Sequence, residues 1–253
     1  MPNKIKEQIT DGILHLTLCN TRGNILDGEM MGEITSAIEG ATRDPHIKAI
    51  TFRGEGDHFS FGASVPEHQK DRVAEMLASF HKLFRTLISF SRPTIAIVRG
   101  QCLGGGMELA AFCHWIFAHE KAQFGQPEIQ LAVFPPVASL ALPLRIGQPM
   151  SDDLNLTGRS IGAEEAYRIG LVQHISPDPD TTASEFIRQH IIPKSASSLR
   201  IATTASRRIY HEQFLKHIDA LEAMYLQELM GTHDANEGIN AFMQKRKPEW
   251  QNR

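Results

Sequence analysis

The sequence predicts an α/β core of stacked βαβ turns followed by a helical C-terminal region. Three observations predict it: a two-residue hairpin signal near the start, strand and helix patterns that alternate as far as Phe124, and a stretch beyond Pro136 that reads almost wholly helical. Residues 5–9 and 13–18 alternate apolar with polar side chains around Asp11-Gly12, so the chain opens with a β-hairpin. Asp27 is placed to cap a helix in which Met31, Ile34, Ile38 and Ala41 recur at helical spacing, until Asp44-Pro45 stops it. A short strand is expected over 47–52, then a loop from Gly54-Glu55-Gly56-Asp57, then a helix over 71–90 carrying Met76, Leu77, Phe80, Phe84, Leu87 and Ile88.

Arg92-Pro93 ends that helix, and the unbroken apolar run Thr94-Ile95-Ala96-Ile97-Val98 reads as a buried strand. Residues 100–106 turn this strand into a helix expected to begin near Met107, which puts Glu108 in a first helical turn. Residues 115–118 and 122–124 supply two more short strands. Later helices are expected over 163–169, 182–192, 197–208 and 212–230, with Pro177-Asp178-Pro179-Asp180 and Ile192-Pro193-Lys194-Ser195 as loops, since proline interrupts both helix and sheet.

A chain of 253 residues with 42% hydrophobic content can bury one substantial core, so one main domain over 1–190 and a smaller helical subdomain over 191–253 are expected. The net charge of −3 and pI near 6.5 provide no basic stripe, which argues against nucleic acid as a partner. The apolar stretches are too short or too interrupted by proline to span a bilayer, so no membrane partner is expected. The start, Met1-Pro2-Asn3-Lys4, leads into alternating residues rather than an apolar signal segment, and the cytoplasm is the expected location.

Cys19, Cys102 and Cys113 are odd in number and lack the close pairing of a zinc site or disulfide framework, so they are expected to be reduced and structural. Twelve histidines invite a metal reading, yet His211 and His217 are not four apart and no His-Glu-x-x-His occurs; no metal is expected. Ser64 is not in a Gly-x-Ser-x-Gly elbow, which leaves a serine hydrolase little sequence support. Gly54-Glu55-Gly56-Asp57-His58-Phe59 lacks the last glycine of a dinucleotide fingerprint and opens no helix, so no nicotinamide cofactor is implied.

The chemistry points to Glu108 and Glu128, each following an unusual loop: Leu103-Gly104-Gly105-Gly106-Met107-Glu108 and Phe124-Gly125-Gln126-Pro127-Glu128. A glycine run brings bare backbone close to a ligand, and two carboxyl groups sharing one water can divide base and acid roles between them. Polarising a thioester carbonyl needs donors at its oxygen, which backbone amides on tight loops provide. Two such loops occur, Phe59-Ser60-Phe61-Gly62-Ala63-Ser64 and Gly104-Gly105-Gly106, and the amides of Ala63 and Gly105 are the candidate oxyanion donors. Taken singly, Glu108 reads as a helix-start charge and Glu128 as a loop carboxylate. The company of both loops makes the catalytic reading the better one.

The residues 59–63, 100–109 and 122–128, then Leu156-Thr157-Gly158-Arg159 with Ala163 and 166–172, together resemble the enoyl-CoA hydratase/isomerase, or crotonase, superfamily over nearly the whole chain. The resemblance implies a crotonase-like spiral of stacked ββα/βαβ turns, a C-terminal helical subdomain that makes oligomer contacts and covers the active site, and a homotrimer or homohexamer. It also implies an oxyanion hole of Ala63 and Gly105, with Glu108 and Glu128 in both catalytic carboxylate positions of a hydratase. Glu128 is the favoured proton donor and Glu108 the base that orients water.

This chain departs from the common pattern: Ser64 stands for an aspartate, Phe61 for a small residue, and Phe134-Pro135-Pro136-Val137-Ala138-Ser139 for a glycine-rich turn. With residues 62–68 and the tail 225–235, these departures resemble hydratases of a cyclic conjugated dienoyl-CoA, in which Phe61 and Phe134 would shape a flat ring pocket lined also by Ser60, Gly62 and Ser64. Such an enzyme needs no cofactor, because CoA arrives with the acyl-CoA thioester substrate. Arg22 and Lys245-Arg246-Lys247 are candidates for its phosphates, although exposed charge explains each as well. A linear enoyl-CoA hydratase, a double-bond isomerase using one glutamate, and a noncatalytic acyl-CoA-binding subunit are the alternatives, and the presence of both glutamates disfavours the last two.

Overall fold

In the computed structural model, which describes residues 3–20 and 23–253, the chain opens with antiparallel strands β1 (Ile5–Thr10) and β2 (Ile13–Leu18). Asp11 and Gly12 between them take φ of 52° and 77°, the left-handed pair that a two-residue hairpin turn demands. Helix α1 (Gly28–Arg43) follows, its first turn capped by the Asp27 carboxylate accepting from the Met30 amide at 3.0 Å. Strand β3 (Ala49–Gly54) runs parallel to β2 and lies two residues beyond the expected 47–52, because Ile47 is used in the turn out of α1.

Helix α2 (Val73–Phe90) packs lengthwise on α1, and strand β4 (Thr94–Val98) follows, buried at every residue, parallel to β3. At Gly100 the chain leaves the first sheet. That residue has φ 52°, and a Cβ there would meet the Asp57 carbonyl at 2.2 Å. Strand β5 (Gln101–Leu103), not expected from sequence, then leads into α3 (Gly105–Phe112), which starts two residues before the expected Met107. Strands β6 (Trp115–His119) and β7 (Gln123–Gly125) repeat the move from one sheet to the other.

Beyond Pro136 the chain is less uniformly helical than expected. Helices α4 (Pro136–Ile146), α5 (Gln148–Thr157) and α6 (Ala163–Arg168) are interleaved with strand β8 (Ser160–Gly162), and β9 (His174–Ser176) follows α6. Three-residue strands are too short for an alternating pattern to show; pairing with β7 and β6 defines them. Helix α7 (Pro179–His190) begins inside the expected loop, with Pro179 at its first position, where a missing N–H costs nothing. The two helices expected on either side of residue 210 are one, α8 (Ala196–Gln227), a segment with neither glycine nor proline to break it. Helix α9 (His233–Met243) follows, and the segment after it returns so that the Arg253 carbonyl accepts from the His233 amide at 2.7 Å.

The strands form a six-stranded sheet, β1-β2-β3-β4-β6-β9, and a three-stranded one, β5-β7-β8, so the successive pairs β4 and β5, β6 and β7, and β8 and β9 each contribute one strand to either layer. One face of the larger sheet carries the main core, with Phe52, Phe59, Phe84, Phe90 and Phe124 wholly buried. On the other face, Ile13, Ile95, Ile97 and Phe117 pack under Ala183, Ile187 and Ile191 of α7. The cysteines are free, and burial pushes the Cys102 thiol well above its ordinary value and the Cys113 thiol to about 12, so neither supplies a thiolate. Among the described residues no helix is long and apolar enough to cross a membrane.

Candidate active site

The exits of two neighbouring strand layers meet where β5 ends. Ser60 bridges Cys102 in parallel pairing, and the Leu103 amide donates to the Ser60 carbonyl at 2.9 Å, so the 59–64 loop runs beside the glycine run. Gly62 makes the approach possible: its φ is 104°, and a Cβ there would stand 2.9 Å from the Leu103 carbonyl and 3.3 Å from the Gly105 nitrogen. A Cβ on Gly105 would in turn stand 3.2 Å from the Ala63 nitrogen. The amides of Ala63 and Gly105 are therefore neighbours, and neither donates to another protein group among the described residues. Gly105 opens α3, so its N–H also lies at the positive end of a helix. Phe80 closes one side, its ring tip 3.1 Å from the position of that same Gly105 Cβ.

Glu108, in the first turn of α3, is 3% exposed and accepts a hydrogen bond through Oε1 from the Ala138 amide at 2.7 Å. Ala138 is the third residue of α4, so Glu108 satisfies one of the orphan N–H groups at that helix start. Burial raises the Glu108 carboxyl to about 7, while the amides of Ala138 and Val137 pull against it.

Glu128 lies in the 3-10 turn Pro127–Leu131 that follows β7. The residue is partly exposed, yet its carboxyl turns inward onto Gly104, with Oε1 2.7 Å from where a Cβ would be. With its amide nitrogen facing that carboxyl, the wholly buried Gln126 donates to Oε2 at 3.0 Å and Oε1 at 3.1 Å. Burial first and the charge of Glu108 second push Glu128 well above the usual carboxylate range. Both acids meet Gly104, the Glu128 carboxyl standing against its Cα and the Glu108 amide donating to its carbonyl at 2.9 Å. The amides of Ala138 and Val137 at the helix start hold Glu108 lower against its burial, a help that Glu128 does not receive from that helix.

The other sequence candidates divide. Gly62 and Ser64 lie in the loop that positions Ala63, the Ser64 amide donating to the Leu26 carbonyl at 3.2 Å. Ser60 is wholly buried beneath it, its hydroxyl donating to the Asn24 carbonyl at 2.8 Å and accepting from the Gly62 amide at 3.0 Å, which makes it a support for the loop. The joint wall expected of Phe61 and Phe134 is revised. Phe61 is 42% exposed and lies against Gly23 and the edge of His58, in a surface cavity of about 380 Å³, whereas Phe134 packs on Tyr225 with ring centroids 5.2 Å apart. The bare Gly23 backbone gives the Phe61 ring an outward seat that no spacing rule shows. Arg22 lies outside the described residues, and Arg246 is held by Glu237.

Three contributors had no role in the sequence reading. The Gln126 amide is one; its signal was the glutamine two residues before Glu128. The Ala138 amide is another, traceable to Pro135-Pro136 as a helix start. Gly238 of α9 is the third: a Cβ there would meet the Leu131 carbonyl at 2.2 Å, so α9 is seated directly on the turn that carries Glu128.

The family model described as Enoyl-CoA hydratase/isomerase matches residues 8–253. A cyclohexa-1,5-dienecarbonyl-CoA hydratase of Thauera aromatica is 43% identical over 252 residues, covering 100% of this chain and 98% of its own length. A 2,3-dehydroadipyl-CoA hydratase of Escherichia coli is 32% identical over 238 residues, covering 91% of each. Among solved structures, an enoyl-CoA hydratase from Mycobacterium avium subsp. paratuberculosis superposes with a TM-score of 0.87 at 23% identity, over 98% of this chain and 99% of the other. That likeness shows the fold, a spiral of stacked turns of the kind the motifs implied.

Proposed function

Because the chain belongs to the enoyl-CoA hydratase/isomerase family, we propose that it adds water to a cyclic conjugated dienoyl-CoA, converting cyclohexa-1,5-diene-1-carbonyl-CoA to 6-hydroxycyclohex-1-ene-1-carbonyl-CoA. One observation carries the reading: two buried carboxyl groups converge beside a pair of adjacent backbone amides that have no partner among the described residues. The amides of Ala63 and Gly105 hold the thioester oxygen as negative charge collects on it. Glu108 takes a proton from water as the oxygen attacks the carbon β to the carbonyl. Protonated Glu128 then delivers a proton to the far end of the dienolate. The two ring carbons stand opposite one another, so acid and base serve separate atoms. The choice of a cyclic substrate over a linear one rests on the 43% identical relative.

The substrate supplies CoA, and the residues require no further cofactor. We assign the step to anaerobic breakdown of aromatic acids in the cytoplasm. The subunit belongs in a trimer or a dimer of trimers, for which Ile201 and Ile209, 61% and 70% exposed on α8, offer apolar surface.

The test is turnover of the cyclic dienoyl-CoA against crotonyl-CoA in isotopically labelled water. Label in a hydroxylated cyclic product supports the reading; preference for crotonyl-CoA identifies a linear hydratase, and a shifted double bond without label identifies an isomerase. The rate is also expected to follow a bell-shaped pH profile. It rises as Glu108, held near 7, loses its proton, and falls at higher pH as Glu128, held higher still, loses the proton it must donate. A rate already at its plateau at pH 5 would contradict this division of roles.

A further inference from the structure

Resting on the hydratase reading above, we propose that Arg145 is a positioning residue for the base: by fastening the end of α4 to the end of α3, its guanidinium keeps the Ala138 amide on the Glu108 carboxylate. Every N–H of the guanidinium finds an acceptor. Nε donates to the Leu171 carbonyl at 3.1 Å, Nη2 to the same carbonyl at 2.9 Å and to Gln173 Oε1 at 2.8 Å, and Nη1 to the carbonyls of Ala111 at 2.9 Å and Cys113 at 2.5 Å. Cys113 is the cap residue at which α3 stops. Gln173 Oε1 also accepts from the Ile116 amide of β6 at 2.9 Å, so the clamp is anchored in the larger sheet.

The two helices are joined at both ends. On α4, Ala138, Ala141, Leu142 and Arg145 recur at helical spacing, and the first three are buried. Where the helices start, the Ala138 amide donates to Glu108 Oε1 at 2.7 Å; about two turns along, where they stop, Arg145 holds Ala111 and Cys113. One join alone would let α4 swing about it. Pro143 adds to the need, because it lacks the N–H that would bond the Ser139 carbonyl and so loosens α4 between the two joins. Burial pulls the guanidinium down to about 10, a cost that no carboxylate offsets among the described residues: its titratable neighbours are Tyr210 and Arg207 of α8 and Cys113, and Arg207 donates to the same Cys113 carbonyl at 3.1 Å.

The Ala138 amide matters to the chemistry because it works against burial, pulling the Glu108 carboxyl down toward a value at which it can accept a proton from water near neutrality. With α4 swung away, Glu108 keeps its burial and loses a donor, so a smaller fraction is charged at a given pH. The carboxylate also loses the bond that fixes its direction, and a displacement of about 1 Å can cost about a hundredfold in rate.

The experiment is Arg145→Met and Arg145→Lys, read by kcat, KM, pH profile and thermal midpoint. Expected for Arg145→Met, measured well below its midpoint, are a fall in kcat of about ten- to a hundredfold with KM little changed, and an acidic limb moved to higher pH. Arg145→Lys keeps the charge and part of the donor set, and it should recover part of both effects. A lower thermal midpoint in Arg145→Met with wild-type kcat and an unmoved limb would show that the arginine only holds the fold, and overturns the inference. Should Arg145→Met fail to fold, Arg145→Lys carries the test through hydrogen exchange at the Ala138 amide: loss of the planar fork should speed it, and unchanged exchange with an unmoved limb overturns the inference. A wild-type protein that hydrates no unsaturated CoA ester overturns the function, and exchange at Ala138 then decides the clamp by itself.

Discussion

Glu128→Gln is expected to lower kcat for hydration by about 10²- to 10⁴-fold while CoA-ester binding stays close to wild type. The loss is large because the amide keeps the shape of the side chain, and its contact with Gly104, but has no proton to give to the dienolate. Glu108→Gln is expected to fall in the same range, since the amide cannot accept the proton of water. The two losses should not add in the double variant, because both acids serve one event. Stability is expected to move the other way. The folded value of Glu128 lies well above its ordinary 4.5, so the folded chain holds more protons than the unfolded one. This group therefore stabilises the fold at low pH, and the contribution is lost as pH rises through the folded value. Above neutrality Glu128→Gln should melt higher than wild type by calorimetry. Unchanged kcat in either single variant would remove that acid from the mechanism.

Gly62→Ala is expected to cost about 10²- to 10³-fold in kcat, the effect of losing one oxyanion donor, or about 3 kcal/mol of barrier. At φ 104° an alanine is strained, and its methyl would lie 2.9 Å from the Leu103 carbonyl and 3.3 Å from the Gly105 nitrogen, all backbone atoms that cannot rotate away. The two loops must part, and the Ala63 and Gly105 amides with them. The strain also lowers the thermal midpoint, so the kinetic measurement is made well below it, with circular dichroism showing a folded chain. A folded Gly62→Ala variant with full activity would show that the carbonyl is held elsewhere.

The hairpin at Asp11-Gly12, the capped helix α1 and the buried strand β4 were legible because each depends on local chemistry: a left-handed turn pair, a carboxylate cap and an unbroken apolar run. Strands β5, β8 and β9 were not, since three residues carry no period and only their neighbours define them. Helix α8 was divided in the reading at residues 209–211, which the structure carries through without a break, Tyr210 packing on Phe112. At the site, glycine clustering exposed both acids and both amides. The outward turn of Phe61, the amide of Ala138 and the seat of α9 on Leu131 depend on which distant segment arrives opposite, which no window of sequence contains.

In the proposed mechanism the grip on the thioester oxygen comes from peptide nitrogens at 63 and 105, and so it would not depend on which side chain position 63 bears. Mutational drift or laboratory selection can therefore rewrite the side chains of Ala63, Ser64 and Phe134, and with them the acyl shapes accepted, while the activating step is inherited unaltered. A library confined to those three positions is a rational start for redirecting this scaffold to other unsaturated thioesters.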